Sequence, residues 1–174
     1  MTKIKTTLVV ATMALAIAGC AKKRPPVLPP APVDQNAPID PNAGANANPN
    51  GAVVPGSDAD FRRSVTSNTV HFGLDQYDID PEARAILDSQ AAWLQRYPNV
   101  RITIEGHCDE RGTREYNLAL GDRRANAAKN YLAARGVSPD RMNVISYGKE
   151  RPIALGSDDA SYAQNRRAVT IVLS

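Results

Sequence analysis

Nine of the chain's thirteen prolines fall between Ala21 and Gly56, interleaved with Asn, Ala and Gly. Such a stretch has too few large apolar side chains to offset the entropy of ordering it, so it is expected to stay a flexible linker. That one feature confines any packed core to the residues beyond it. At about 3.1 Å per residue in polyproline geometry, its roughly 36 residues could reach on the order of 110 Å. As a coil they would span about 35 Å. Lys22, Lys23 and Arg24 at its start read as a solvated charge run.

The residues before the linker have a different character. Lys3 and Lys5 precede a run from Leu8 to Ala18 that is apolar except for Thr12, ending at Gly19-Cys20. This apolar run has about half the residues that a membrane-spanning helix requires. A basic start, a short apolar core and small residues at the end are the parts of a secretory signal. Residues 1–19 are therefore expected to be a signal segment and 20–57 a linker, with one domain from 58 to 174.

Removing Lys3 and Lys5 with the signal takes the net charge from +3 to +1, too small a bias to argue for nucleic acid. Cys20 and Cys108 are the only cysteines. If Cys20 carries a modification, Cys108 has no intrachain partner.

Beyond residue 58 the hydrophobic pattern becomes periodic. Val70 and Phe72 share one face of a short alternating segment, a strand. Asp80-Pro81-Glu82 predicts a helix start, with an Asp cap, Pro in the first position and an acid in the first turn. Ala83, Ile86, Leu87, Gln90, Ala91 and Leu94 then follow helical spacing until Tyr97 meets Pro98. Val100, Ile102 and Ile104 alternate with Arg101, Thr103 and Glu105, giving a second strand that stops at Gly106.

A second helix is expected from about Thr113 to Arg135. Its buried stripe would be Leu118, Gly121, Ala125, Ala128 and Leu132, with Gly136 as a left-handed cap. Ser138-Pro139-Asp140 predicts a turn. A strand follows over Met142–Tyr147, a short helix over Asp158–Asn165, and a last strand over Ala168–Leu173 with Val169, Ile171 and Leu173 on one side. This is an α+β order, β-α-β-α-β-(α)-β, with a mixed sheet and helices packed on one face.

The segment Gly106-His107-Cys108-Asp109-Glu110-Arg111-Gly112-Thr113 leaves a strand and enters a helix. Asn117 and Arg124 lie seven residues apart on that helix, nearly in line, with Gly121 between them leaving a groove. Asp109 can reach the same opening. Two readings of these residues stand side by side. Either Arg124 forks onto a ligand carboxylate while Asp109 pairs with an ammonium, or the two form a salt bridge that fixes the loop.

A hydrolase reading of His107, Asp109 and Glu110 must also be weighed. Only His71 remains as another histidine, and there is no nucleophile motif or paired-His metal signature. The residues favour a binder with no catalytic residues, cofactor or metal.

Several of these strings resemble known families. Ile17-Ala18-Gly19-Cys20 resembles the lipobox of bacterial lipoproteins, which implies diacylglycerol on the Cys20 thiol. Ala21 in the next position implies the outer membrane. Gly106-His107-x-Asp109-x-x-Gly112, Tyr116-Asn117-x-x-Leu120, Arg124-Ala125 and Asn165-Arg166-Arg167-Ala168 resemble the OmpA-like peptidoglycan-binding domain. Phe72 to Ile79, Arg123 to Ala127 and Ser146-Tyr147-Gly148-Lys149-Glu150 are similar to the peptidoglycan-associated lipoprotein (Pal) family, over about residues 68–174.

That resemblance implies a non-covalent pocket for the meso-diaminopimelate of the peptidoglycan stem peptide. Asp109 and Arg124 fall at the family's gripping acid and base. Leu74 and Asp75 fall on the pocket-lining loop, with Asn117 and Leu118 at the adjoining helix start. Asn165, Arg166 and Arg167 are expected to brace first. Cys108 departs from the small or hydroxyl residue usual at that place. The resemblance further implies TolB as a competing partner, the TolA–TolQ–TolR machinery, and a part in envelope integrity and constriction at division. On this reading Asp109→Ala and Arg124→Ala would each lose wall binding while the domain stays folded.

Overall fold

Local signals account for where the chain turns into helix and strand. In the computed structural model, which describes residues 53–173, Asp80 caps helix α2 (Pro81–Arg96) by accepting from the Ala83 N–H at 2.7 Å. The expected signal segment, Cys20 and nearly all of the linker lie outside the described residues. Tyr97 ends α2, as its position before Pro98 requires. Thr113 caps α3 (Arg114–Ala134) through the Tyr116 N–H, and Gly136, at φ +90°, closes it. The Val137 N–H then reaches back to the Leu132 carbonyl, and Val137 is buried, completing a glycine-terminated cap with its apolar contact.

One element has no counterpart in the sequence reading. Helix α1 (Asp58–Ser64) is capped by Ser57 and carries Asp58 and Asp60 in its first turn, with Arg62 and Arg63 in its last. Its one large apolar residue, Phe61, is fully buried and meets Trp93 edge-on at 4.9 Å. A single apolar residue in seven has no periodicity, so the only sequence signals of the helix are its Ser57 cap and the charges at its two ends.

Four strands form one sheet in the order β1-β4-β2-β3, where β1 is Thr69–His71, β2 Arg101–His107, β3 Met142–Gly148 and β4 Arg167–Leu173. β2 and β3 run parallel, joined by α3 and a 3₁₀ turn at Pro139–Arg141, while β4 lies antiparallel between β1 and β2. Helix α4 (Asp159–Asn165) precedes β4 and is capped by Asp158. The mixed α+β sheet is as expected, with α2 and α3 against one face. Leu87, Leu94, Ile102, Ile104, Leu132 and Val172 are fully buried between them. Each such side chain contributes about 1.5–3 kcal/mol on leaving water. No helix of the described residues is long and apolar enough to cross a membrane.

Four details expected from the sequence are corrected. β2 runs to His107 and is not cleanly alternating, because Thr103 is buried too. It is an inner strand, paired with β3 on one edge and β4 on the other. In β4 the core face is Ala168, Thr170 and Val172, while Val169 and Ile171 are half-buried and Leu173 is exposed. Thr170 tolerates the core because its hydroxyl donates to Gln90 Oε1 at 2.8 Å, and Gln90 in turn donates to the Ser67 carbonyl.

On α3 the buried stripe contains Leu120, and Leu118 is only half-buried. Nor does Gly121 open a groove. A Cβ there would sit 2.4 Å from Ser146 Oγ, and one on Gly106 would sit 1.8 Å from the Gly121 carbonyl oxygen. The two glycines let helix and sheet backbones touch.

Candidate functional site

The parallel β2–α3–β3 unit and the loop after β1 meet at one end of the sheet. Pairing of β2 with β3 slips there: Gly106 opposes Ser146, but His107 opposes Gly148, so Tyr147 is skipped. A bulge of this kind re-aims the strand end. The next two residues, Cys108 and Asp109, form the floor of a cavity of about 290 Å³. Leu74, Asp75, Asn117, Arg124 and Arg166 also line it, so four stretches of the chain converge on one opening.

Arg124 is the most deeply placed. It is fully buried, and its guanidinium donates to three carbonyls: Gln76 through Nε at 2.8 Å, His107 through Nη1 at 2.9 Å and Gly73 through Nη2 at 3.0 Å. It also lies over the Phe72 ring at 5.3 Å. Burial pulls its pKa down from the ordinary arginine value, yet a guanidinium starts so high that it stays charged. Three of its five N–H groups are thus spent and two are left, on a residue that lines the cavity.

Asp109 is 5% exposed. No Asp109–Arg124 salt bridge forms among the described residues, so that reading of the pair is corrected. Asp109 pairs with Arg111 at 2.6 Å and Arg166 at 3.3 Å instead. The physical reason is that Arg124 is committed to the Gly73, Gln76 and His107 carbonyls, whereas Arg111 follows Asp109 by two residues in the same turn. Burial alone would raise the Asp109 carboxyl. Hydrogen bonds from the Arg111 side chain and backbone and from Arg166 outweigh it and hold the pKa below the usual carboxylate value.

Asn117 is buried and braces the loop, donating to the Arg111 carbonyl at 2.7 Å and the Thr113 carbonyl at 3.0 Å. Leu74 is 55% exposed at the rim. Asp75 sits beside it with φ +55°, a left-handed conformation that Asp tolerates better than most non-glycine residues. Leu118 stands off the cavity, its carbonyl accepting from Ser146 Oγ. Asn165 and Arg167 are also off it. Asn165 clasps the backbone of Ile153 and Ala154, and Arg167 reaches the Arg151 carbonyl.

Arg166 does both jobs: it holds the Phe72 carbonyl at 3.0 Å and forms part of the cavity wall. Bracing, the role expected first of it, is thus joined to a place on the wall.

Sequence reasoning missed Arg111, Tyr116 and Leu120 as wall residues, and left the exposure of Cys108 open. A usable signal existed for two of them. Tyr116, Leu120 and Arg124 are successive i, i+4 steps and share a helix face. Cys108 is buried, with Sγ 3.3 Å from the Asn117 carbonyl oxygen, and burial raises its thiol pKa.

The candidate hydrolytic trio does not converge. His107 is 2% exposed, stacked on Tyr147, and neither ring nitrogen has a hydrogen-bond partner among the described residues. Glu110 turns outward to accept from Ser157 and Tyr162. Only Asp109 of the three faces the cavity. What the cavity offers is three guanidinium groups and two carboxylates around an opening with an apolar rim. That arrangement suits a small zwitterion with an extra negative charge.

The model of the OmpA family matches residues 71–166. The peptidoglycan-associated lipoprotein of Rhizobium meliloti is 51% identical over 160 residues, covering 92% of this chain and 83% of its own length. That of Haemophilus influenzae is 54% identical over 102 residues, covering 59% of this chain and 67% of its own.

Among solved structures, the Burkholderia pseudomallei peptidoglycan-associated lipoprotein superposes with a TM-score of 0.60 at 45% identity, over 62% of this chain and 91% of that one. The C-terminal domain of Helicobacter pylori MotB, at 24% identity and a TM-score of 0.56, shares the fold. It covers 60% of this chain and 83% of its own. The chain belongs to the OmpA family, and within it to the peptidoglycan-associated lipoproteins.

Proposed function

We propose that this chain is a lipoprotein anchored in the outer membrane through Cys20 that binds peptidoglycan non-covalently in the cavity between Asp109 and Arg124. The ligand is the free end of meso-diaminopimelate in the stem peptide, which carries one ammonium and one carboxylate. The observation that carries this reading is the division of labour in the cavity. Asp109 offers a buried carboxylate kept ionised by its neighbours, and Arg124 offers two unspent N–H groups on a guanidinium fixed by three carbonyls. Leu74 and Asp75 border the entry, and Asn117 fixes the loop. Leu118, Asn165 and Arg167 support from behind, with Arg166 joining support to wall.

A ligand of so few atoms sets a modest affinity for one domain. Many copies on one membrane facing a polymeric wall add avidity. The expected role is accordingly a cross-brace between membrane and wall, a binder and not an enzyme.

A second partner is favoured by the rim. Leu74 and Tyr116 line the cavity and are both largely exposed. A protein seated on them would close the opening. The family expectation is TolB, acting with TolA, TolQ and TolR in envelope upkeep and constriction, so wall-bound and TolB-bound states exclude each other.

Co-sedimentation with purified sacculi tests the site. The parent is expected in the pellet and to be released by TolB and by soluble stem peptide, whereas Asp109→Asn stays in solution. Asp109→Asn pelleting as well as the parent refutes the assignment. Cys20→Ser is expected to shift the protein from the membrane fraction to the soluble one.

A further inference from the structure

We infer that Arg111 is an internal stand-in for the ligand's ammonium: its guanidinium is bonded to the Asp109 carboxylate and must swing off before an amine can bind. The inference rests on the reading of the cavity as a diaminopimelate site and adds how that site is kept closed to weak competitors.

A carboxylate has about four acceptor positions. Asp109 has four donors. Its Oδ1 accepts from the Arg111 backbone N–H at 3.1 Å and from Arg111 Nε at 3.1 Å. Its Oδ2 accepts from Arg111 Nη2 at 2.6 Å and from Arg166 Nη1 at 3.3 Å. No position is left for an incoming ammonium, so one donor has to yield.

Three of the four are poorly placed to do so or travel with the one that can. The Arg111 backbone is pinned, because Asn117 Nδ2 holds its carbonyl, and Lys149 Nζ holds the carbonyls on either side, at Glu110 and Gly112. The Arg166 side chain is 15% exposed and committed also to the Phe72 carbonyl. The Arg111 side chain is 40% exposed and has no other hydrogen-bond acceptor among the described residues.

It also has somewhere to go. Its guanidinium already lies 4.3 Å over the Tyr162 ring, and Tyr162 is fixed by its hydroxyl to Glu110. Rotation about the side-chain bonds can keep this cation–π contact while releasing both side-chain bonds to Asp109. The loop backbone need not move. An amine must therefore displace a like-charged group, and a ligand without an amine gains nothing from the exchange.

Isothermal titration of the full chain in detergent micelles with meso-diaminopimelate, and with pimelate as the amine-free control, tests this. Arg111→Met is expected to tighten meso-diaminopimelate binding three- to tenfold and to leave its selectivity over pimelate higher than the parent's. The gain should vanish in Asp109→Asn/Arg111→Met, because it acts through Asp109. Unchanged or weaker binding by Arg111→Met, with the parent binding and Asp109→Asn not, overturns the stand-in and makes Arg111 a wall or a gripping arm. If the parent fails to bind, or Asp109→Asn binds equally, the site reading itself fails and the inference with it. Thermal unfolding of Arg111→Met at the parent's temperature guards against a folding artefact.

Discussion

Replacing Arg124 by Met tests how much of the cavity is a structural staple. The guanidinium is fully buried and serves the Gly73, Gln76 and His107 carbonyls at once. A hydrogen bond from a charged donor contributes about 1.5–3 kcal/mol, so three of them set a gross loss of roughly 4.5–9 kcal/mol. Removing a buried charge returns several kcal/mol of desolvation, and carbonyls at a cavity edge regain water. The net expectation is a loss of about 3 kcal/mol, or roughly 10–15 °C in melting temperature for a domain of this size.

Urea unfolding followed by the fluorescence of Trp93 reads it directly, since Trp93 is the chain's one tryptophan and is buried. Arg124→Lys separates charge from geometry. One ammonium cannot reach three carbonyls set apart by the guanidinium fork, so it should lose about 2 kcal/mol despite keeping the charge. A change below about 0.5 kcal/mol in Arg124→Met would refute the staple. The sequence-based expectation that Arg124→Ala loses only binding is replaced accordingly, and Asp109→Asn becomes the cleaner probe of ligand contact.

Thr170→Val keeps the shape but strands Gln90 Oε1 in the core, and should cost about 1–3 kcal/mol by urea unfolding; a neutral result would mean that Gln90 finds another donor. Asp109 has a folded pKa below its unfolded value of about 3.9, so the stability it confers is complete above that value and is lost as pH falls through the folded pKa. Retention on sacculi should thus be equal at pH 7 and pH 5 and fail only in stronger acid, while half-loss near pH 6 would contradict this. Cys108, buried and with a raised pKa, should resist alkylation at pH 8 in the folded protein and react on adding urea. Mass analysis of the Cys108 peptide decides it, and equal rates in both states would place the thiol in solvent.

Much of the frame is legible because its signals are local. Asp80-Pro81 and Gly136 each dictate a helix end from one or two residues, and both ends fall where those residues put them. Phe61 is legible only in three dimensions, since what makes α1 a helix worth keeping is Trp93, far along the chain. The site divides the same way. Spacing leaves Asp109 and Arg124 either a ligand site or a salt bridge, the family resemblance implies the site, and both residues line one cavity. Their partners depend on the loop conformation, and no spacing rule predicts that Asp109 takes its own neighbour Arg111 or that Arg124 takes backbone oxygens. Gly121 shows the limit from the other side. A missing side chain can mean an open groove or a closed contact, and only the position of Gly106 tells which.

The Arg124 staple has a mechanical consequence. It joins carbonyls on the loop after β1 to one at the end of β2, segments separated by 48–51 and 17 residues from Arg124 itself. A load applied through a ligand held on that guanidinium would not peel one loop away from the surface. It would be shared by α3, the exit of β2 and the loop that follows β1, and so carried into the sheet, where strands resist as a set.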